Sequence, residues 1–248
     1  MELSAIAYNI QFGKKLKLIQ NWLLAGRKHY DIICLQEFPF KKDSEFLRTY
    51  EKKGYKYTFA PSFSRKKAQI GELTLYDASK IKLIQSHTLK LGSNIFEGRF
   101  IDSRFKKTKG QRSSLLTLFK YKDKKLVLAN SHLFTYAFNS QRINQLHKIL
   151  KNVNKIGDHT EYSSVILGDF NYTSIIRQKK LIDFMKKNEF KNAYKTHTHR
   201  LFFLKQQLDY VFYNNCSVKK VLVDKVNYSD HYPVQFKIEL NPGRNTLK

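Results

Sequence analysis

Six short polar signatures, each at the end of an apolar run, carry the side chains that could do chemistry. They combine carboxylates, amides and imidazoles, which are the groups that a metal-assisted attack on phosphorus requires. The signatures are Asn9, Gln36-Glu37, Asn130-Ser131-His132, Gly168-Asp169-Phe170-Asn171, Leu208-Asp209-Tyr210 and Ser229-Asp230-His231. Their spread over separate segments predicts one site that is assembled from several strand ends.

Glu37 follows the apolar segment 31–36, so we expect its carboxylate at a strand end, where the chain leaves a sheet. A carboxylate there suits Mg²⁺, since this ion takes one or two protein carboxylates and fills its shell with water and phosphate oxygens. Glu37 taken alone would also fit an exposed turn. Asn9 taken alone would fit a turn residue after a strand.

Gly168 permits a sharp exit from a strand, and Asp169 and Asn171 would then point to the same side of an extended segment. Asp169 could orient or deprotonate a water molecule, while the amide of Asn171 could stabilise charge on phosphoryl oxygens. The alternative is an Asx turn that caps the following helix.

Two imidazoles belong to the signatures, His132 and His231, and Asp230 precedes the second of them. Near one phosphate, one histidine could contact the nucleophile or phosphoryl oxygens while the other stabilises or protonates the leaving oxygen. A carboxylate commonly holds such an imidazole in one tautomer, and Asp209 and Glu72 are the candidates.

Two further segments are less specific. The run His197-Thr198-His199 contains two imidazoles, but no nearby cysteine or carboxylate completes a zinc set. We interpret it as a loop or strand with exposed imidazoles. The basic, aromatic segment 91–112 is the least patterned, and it would form either a surface loop or a substrate-contacting loop.

Hydrophobic periodicity predicts the elements that must position these residues. Helical spacing occurs in 14–28, 43–53, 140–154 and 174–187. Apolar runs of strand length occupy 3–8, 31–36, 56–60, 72–77, 81–85, 113–119, 125–130, 163–167, 208–213, 218–223 and 233–239. This order predicts an α/β fold in which two mixed sheets pack together with helices outside them. One domain is favoured at 248 residues, because the signatures would otherwise form separate sites.

Composition bounds the partners and the compartment. The chain has 46 basic and 20 acidic residues, a formal charge of +26, which favours a polyanion such as nucleic acid or an anionic membrane surface. A solvated, lysine-rich surface is the alternative. Cys34 and Cys216 lie far apart and suggest free thiols in a reducing compartment. Neither a signal peptide nor a membrane span is evident, so we expect a soluble, cytoplasmic protein.

In this order and spread, the signatures resemble those of the endonuclease/exonuclease/phosphatase superfamily, which includes deoxyribonuclease I, neutral sphingomyelinases, apurinic endonucleases and tyrosyl-DNA phosphodiesterases. Asn130-Ser131-His132-Leu133 is similar to the motif on the deoxyribonuclease, sphingomyelinase and tyrosyl-DNA phosphodiesterase side. The resemblance implies a four-layer α/β sandwich with the site at one end of the paired sheets. We expect a single domain over 1–240, followed by a tail over 241–248.

The resemblance also implies roles for individual residues. Glu37, with help from Asn9 and Asp230, would hold Mg²⁺ or Mn²⁺. Asp169 would position the attacking water, and Asn171 would contact the phosphate.

By the same resemblance His231, backed by Asp209, would lie beside the scissile phosphorus. His132 would be the second catalytic imidazole, and Glu72 is the best match to the acid that supports it in some members. Arg112 resembles a phosphate-contacting arginine of some branches.

These observations predict a divalent-metal-dependent phosphodiesterase, and the charge favours nucleic acid as its substrate. One alternative is a phosphodiesterase or phosphatase that acts on phospholipids or phosphoinositides, since a basic surface suits anionic lipid equally well. A second alternative is a non-catalytic basic module that binds nucleic acid. We expect a monomer.

Overall fold

A computed structural model describes residues 1–25, 29–41, 44–65, 68–94, 111–157, 162–201 and 204–240. Two six-stranded mixed sheets pack together, with four helices in this part of the chain. The predicted α/β sandwich is therefore confirmed. The predicted tail, 241–248, and most of the segment 91–112 lie outside the described residues.

The first sheet joins the two ends of the chain. Its strands are β1 (Glu2–Asn9), β2 (Ile32–Phe40), β3 (Tyr55–Arg65), β4 (Ala68–Asp77), β13 (Cys216–Val223) and β14 (Val234–Leu240), in the order β13-β14-β1-β2-β4-β3. β1 and β2 are parallel, and the other pairs are antiparallel. Because β1 pairs with β14, Asn9 comes close to the segment that carries Asp230 and His231.

The second sheet contains β5 (Ile81–Gly92), β6 (Arg112–Tyr121), β7 (Lys124–His132), β8 (Ser163–Asp169), β9 (Lys191–Asn192) and β12 (Asp209–Asn214). Its order is β5-β6-β7-β8-β12-β9. β7 and β8 are parallel and place His132 beside Asp169 in register. β12 is antiparallel to β8 and places Asp209 opposite Asp169. Two strands outside this sheet, β10 (His199–Leu201) and β11 (Leu204–Gln206), form a separate hairpin.

All four predicted helices form within the described residues, with bounds that differ slightly from the prediction. They are α1 (Leu16–Ala25), α2 (Glu45–Glu51), α3 (Asn139–Ile156) and α4 (Ile175–Lys187). Ser44 and Ser174 act as N-caps, because their hydroxyl oxygens accept backbone N–H groups of the first turns of α2 and α4. None of these helices is long and apolar enough to cross a membrane.

The apolar core has three main layers, as a four-layer sandwich requires. One cluster lies between the sheets and includes Leu3 and Phe119. A second lies between the second sheet and α3 and α4, with Leu146 and Leu181 at its centre. A third packs α1 and α2 on the first sheet and includes Ile19. Burial of these side chains supplies the main stabilising term of the fold.

A buried polar clamp joins the sheets beneath the site. The side-chain amide of Gln36 donates to Asn130 Oδ1 at 2.7 Å, and Asn130 Nδ2 donates to the carbonyl of Leu73 at 3.0 Å. Gln36 and Asn130 are both fully buried. These two signature residues therefore hold the sheets in register.

Candidate active site

A cavity of about 720 Å³ lies where the signatures meet. Most of the predicted site residues line it, whereas Asp209 and Glu72 do not. Those lining the cavity are Asn9, Glu37, Arg112, His132, Asp169, Asn171, Asp230 and His231. The structure therefore brings together residues from six separate segments of both sheets.

Asp169 is the centre of the site. Asn9 Nδ2 donates to Asp169 Oδ2 at 3.0 Å, and the same oxygen lies 3.5 Å from His132 Nε2 and 3.6 Å from His231 Nε2. Burial raises the pKa of the Asp169 carboxyl to about 6, although the charge of His231 opposes this rise. A buried carboxylate that is easily protonated suits the role of a group that accepts a proton from water.

Gly168 allows β8 to approach β7 closely enough to form this centre. Its φ is +124°, which residues with a side chain rarely adopt, and a Cβ there would lie 2.0 Å from the carbonyl oxygen of Ser131. A larger residue would push Asp169 away from His132. Steric crowding therefore explains why this signature contains a glycine.

His231 is paired with Asp209. Its Nδ1 lies 2.8 Å from Asp209 Oδ2, while its Nε2 faces Asp169. Burial opposes the charged imidazolium, but the charges of Asp209 and Asp169 and the Asp209 hydrogen bond outweigh burial and raise the pKa of His231 to about 10. His231 is therefore a cation at neutral pH.

His132 has the opposite character. Burial, and then the charges of Arg112 and His231, hold its pKa well below the ordinary value. Arg112 Nη1 lies 3.1 Å from His132 Nδ1. Because an arginine can only donate, Nδ1 must accept and the proton of neutral His132 must be on Nε2, which faces Asp169. The two imidazoles are thus one neutral and one charged.

The structure does not pair Glu72 with His132. The Ser62 hydroxyl lies 3.2 and 3.1 Å from the two Glu72 oxygens, whereas the carboxylates near His132 are Glu37 at 3.8 Å and Asp169. Burial raises the pKa of Glu72 well above its ordinary value, even though Arg112 opposes the rise. The expectation that Glu72 supports His132 is therefore corrected, because the Glu72 carboxyl is bonded to Ser62 and not to the imidazole.

The sequence predicted Glu37 at a strand end, but the structure places it inside β2. β2 continues to Phe40, and its pairing with β4 shifts between Leu35 and Phe38, so that Glu37 lies in a bulge. The φ of Glu37 is +56°, and such a left-handed conformation costs about 1–3 kcal/mol for a residue with a side chain. The bulge re-aims the carboxylate, which lines the cavity.

Asn171 also has a left-handed backbone, with φ of +55°, so it does not belong to an extended segment. Its N–H donates to Asp169 Oδ1 at 3.0 Å, which forms the Asx turn, but Ser174 caps the following helix. Asn171 Nδ2 donates to the carbonyl of Leu133 at 3.2 Å. Within the described residues, its second amide proton has no acceptor and remains available to a ligand.

Glu37, Asn9 and Asp230 line the same cavity and offer oxygen ligands of the kind that a hard divalent cation takes. Among the described residues the Glu37 carboxylate accepts no hydrogen bond, and burial raises its pKa to about 7. Asp230 Oδ2 accepts from Gln11 Nε2 at 2.7 Å, and Asn9 Oδ1 accepts from the Gln11 N–H at 3.1 Å. Each of these oxygens keeps a lone pair, and a bound cation would offset the buried charge of Glu37. The residues predicted to bind metal therefore fit Mg²⁺ or Mn²⁺.

A different histidine and aspartate cluster lies at the other end of the first sheet. In the described part of the chain, the ligand atoms of His29, Asp31 and Asp77 lie within 4.8 Å of one another. However, Lys80 Nζ lies 2.6 Å from Asp31 Oδ1, and His29 Nε2 lies 2.7 Å from Asp77 Oδ2. A lysine ammonium already occupies the position of a cation, so this cluster is a poor metal site.

Sequence reasoning missed His199, which is 9% exposed and lines the cavity. Its ring lies 4.6 Å from that of His231 in an edge-to-face arrangement. The predicted exposure of both imidazoles in this segment is therefore wrong for His199, although His197 is exposed. The neighbouring Thr198 Oγ1 accepts the N–H of Asp209 at 3.0 Å. Thr198 and His199 thus position the Asp209–His231 pair.

Arginines of two helices were also missed. Arg142 in α3 and Arg177 in α4 line the cavity from the first turns of their helices. A signal existed in the sequence, because the positive end of the helix dipole disfavours a cation there. Such a placement suggests a role other than helix stability.

Comparison with known proteins gives one family match over most of the chain. A model of the Endonuclease/Exonuclease/phosphatase family matches residues 6–231. No curated protein sequence matches the chain.

Solved structures resemble the fold closely at low identity. The human Nocturnin catalytic domain with bound sulfate has a TM-score of 0.74 and 19% identity, covering 97% of this chain and 95% of that one. ANGEL2, a 2',3'-cyclic phosphatase, has a TM-score of 0.72 and 15% identity, with 97% and 95% covered. A mannosyl-6-phosphatase from Bacteroides thetaiotaomicron has a TM-score of 0.69 and 15% identity, with 95% and 99% covered. At these identities the likeness shows the fold alone.

Proposed function

Because the chain belongs to the Endonuclease/Exonuclease/phosphatase family, we propose that it is a divalent-metal-dependent phosphodiesterase that cleaves nucleic acid. The observation that carries the proposal is the Asp169 centre, where one carboxylate faces a neutral and a charged imidazole inside a cavity. This arrangement offers a proton acceptor and a positive charge to the same phosphate. Both are needed for the attack of water on phosphorus.

Glu37, Asn9 and Asp230 would hold Mg²⁺ or Mn²⁺. When bound, such an ion polarises the phosphoryl oxygens as a Lewis acid. The hydrogen bonds of Gln11 to Asn9 and Asp230 orient two of these oxygen donors.

In the proposed reaction, Asp169 orients a water molecule and accepts its proton as the water oxygen bonds to phosphorus. The bond between phosphorus and the leaving oxygen breaks, and the charged His231 and the Asn171 amide stabilise the negative charge that develops. Asp209 accepts the Nδ1 proton of His231, and its charge helps to keep a second proton on Nε2, which faces the site. Neutral His132, held by Arg112, presents its own N–H to the same region.

Charge supports nucleic acid as the substrate. The formal charge of +26 favours a polyanion, and the cavity is lined by Lys14, Arg65, Arg112, Arg142 and Arg177. Two of the similar structures are a 2',3'-cyclic phosphatase and a mannosyl-6-phosphatase, so their activities differ from each other. The choice of nucleic acid therefore rests on this chain's own charge.

The test is incubation of purified protein with labelled single-stranded DNA, duplex DNA and RNA, with Mg²⁺ or Mn²⁺ and with a chelator. We expect metal-dependent cleavage that Asp169→Asn abolishes. Absence of cleavage of every nucleic acid, under conditions in which a known family nuclease works, would falsify the proposal.

The same assay separates the two alternatives. Release of phosphate or a phosphorylated head group from a lipid panel, with nucleic acid left intact, would support a lipid substrate. Equal nucleic-acid binding and equal biological effect of the wild type and Asp169→Asn would support a non-catalytic binding module. The cytoplasmic location and the monomeric state stay predictions, to be checked by fractionation and by light scattering.

A further inference from the structure

A chain of contacts leads from the His132 imidazole to a second basic region of the cavity. Arg112 Nη1 lies 3.1 Å from His132, and Arg112 Nη2 donates to Thr135 Oγ1 at 3.2 Å. The carbonyl of Thr135 accepts from Arg142 Nη2 at 2.7 Å, and the carbonyl of Phe134 accepts from Arg142 Nε at 2.7 Å. The short segment after β7 therefore orients two guanidinium groups, and Arg112, Thr135 and Arg142 all line the cavity.

α4 supplies a third guanidinium group to the same cavity. Tyr172 belongs to the loop that precedes α4, and the Arg142 guanidinium carbon lies 5.6 Å from the centre of its ring. Arg177, in the first turn of α4, is exposed and lines the cavity. Its side chain forms no hydrogen bond or ion pair with the described residues, and only its backbone N–H is bonded, to Ser174. Arg177 is thus available to a ligand.

Two features indicate that these cations serve a ligand. Arg142 is only 2% exposed yet lines the cavity, and the carbonyls of Phe134 and Thr135 hold its guanidinium in a fixed position. Both Arg142 and Arg177 also lie where the helix dipole disfavours positive charge, and neither α3 nor α4 has an acid in its first turn. An anion held at this position would gain from the two arginines and from the positive end of α4 together.

The cavity acids lie elsewhere. Asp169 contacts Asn9 and the two imidazoles, and Asp230 contacts Gln11. Glu37 lies nearest to His132. Among the described residues, the acids of the cavity thus contact Asn9, Gln11 and the imidazoles, and this part suits a metal and the scissile phosphate. Arg142 and Arg177 line the same cavity from the starts of α3 and α4.

We propose that Arg142 and Arg177, together with Thr135, form a second-phosphate subsite that binds a phosphate next to the one being cleaved. This inference rests on the proposed function and deepens it, because it selects phosphoesters that carry a second phosphate. The guanidinium fork matches phosphate oxygens in a bidentate manner. The second phosphate would be either the adjacent internal phosphate of a polynucleotide or a terminal phosphate of a short one.

The experiment compares three short substrates: a dinucleotide with one phosphodiester, the same dinucleotide with a 5′-terminal phosphate, and a trinucleotide with two internal diesters. We expect the wild type to prefer at least one of the two substrates with two phosphates over the dinucleotide with one, by about tenfold or more in kcat/KM. Preference for the trinucleotide alone assigns the subsite to a polynucleotide backbone, and preference for the terminal phosphate assigns it to chain ends. No preference for either would overturn the proposal.

Arg177→Gln should lower this preference about tenfold, since a charge-assisted hydrogen bond is lost. Lys179→Gln is the matched control, because Lys179 is exposed on the same helix, two residues away, and does not line the cavity. It should leave both the preference and the activity unchanged. Equal preference in the wild type and Arg177→Gln, or an equal loss in Lys179→Gln, would contradict the subsite.

Arg142→Lys keeps the positive charge but removes the planar guanidinium group, and it should also lower the preference for substrates with two phosphates. Its thermal unfolding is measured in parallel, because Arg142 also holds the backbone of Phe134 and Thr135. If the wild type cleaves none of these three short substrates, the longer DNA and RNA of the first assay decide whether the proposed function fails. The subsite is then judged by calorimetric binding of the same substrates to Asp169→Asn with and without Arg177→Gln, where equal affinities would overturn it.

Discussion

Two clusters of histidine and aspartate lie at opposite ends of the sheets, and they differ in how their charges are compensated. At one end, His29 is half exposed and pairs with Asp77, while Lys80 pairs with Asp31. At the other end, Asp169 faces two buried imidazoles in the cavity. The guanidinium of Arg112 contacts His132 there. The residue types are similar, but the environments are not.

The pKa shifts of the carboxyls follow this difference. At the end that carries His29 and Asp77, burial would raise the pKa of Asp31, but hydrogen bonds from Lys80 and Ser4 outweigh burial and lower it. At the cavity end, burial dominates and raises the pKa values of Glu37 to about 7 and Asp169 to about 6. A carboxylate whose hydrogen bonds and ion pair outweigh its burial stabilises the fold, whereas one whose burial outweighs its partners is prepared to bind a cation or a proton.

The largest effect is expected for Asp169→Asn. The substitution removes the proton acceptor at the centre of the site, so we expect kcat/KM to fall about 1,000-fold or more. Stability should stay equal or rise, because the amide avoids the cost of a buried charge. Kinetics and thermal unfolding measure the two effects. Asp183→Asn, an exposed acid on α4, is the control, and a large stability loss in Asp169→Asn would contradict the proposed division of roles.

Asp209→Asn should lower activity about 100-fold, since the Asp209 carboxylate orients the His231 imidazole and keeps it charged. The pKa of His231 should fall from about 10, because the charge of Asp209 raises it. The imidazole titration is followed by NMR on metal-free protein. An unchanged His231 pKa would show that Asp209 does not maintain the imidazolium.

Asp31→Asn tests the cluster of His29, Asp31 and Asp77. It should reduce the free energy of unfolding by about 1.5–3 kcal/mol at pH 7, the range for a hydrogen bond to a charged group, and leave activity unchanged. The folded pKa of Asp31 is lowered, so its contribution is present above the ordinary pKa of about 4 and is lost as pH falls through the folded value. Denaturant unfolding at pH 7 and at pH 3 should therefore show a smaller difference between variant and wild type at the lower pH. Lost activity in a folded Asp31→Asn protein would place this end within the catalytic machinery.

The smallest effect is expected at His199, which packs edge-on against His231. His199→Phe keeps a ring and should retain activity within about twofold, while His199→Ala should lose about tenfold, the upper range for an aromatic pair. Kinetics on the same substrate compare the two variants. A larger loss in the phenylalanine variant than in the alanine variant would mean that packing is not the role of this ring.

Much of the fold and the site was predictable, because the signals were local. Each of the four helices showed its apolar spacing, and Asp169, His132 and His231 each lay in a short contiguous motif at the boundary of an apolar run. Where the signal depended on a partner strand, the prediction was wrong. Glu37 was expected at a strand end but lies in a bulge whose position depends on the register between β2 and β4.

The sequence by itself determined the order of the elements and the inventory of acids, amides and imidazoles. Periodicity and motif spacing are properties of neighbouring residues, and they survive without knowledge of the fold. Only the tertiary structure decided that Glu72 bonds to Ser62, that His199 packs on His231, and that Arg142 approaches the loop before α4. These contacts join residues of different strands, helices and loops, and the burial they create sets which carboxyls and imidazoles carry charge.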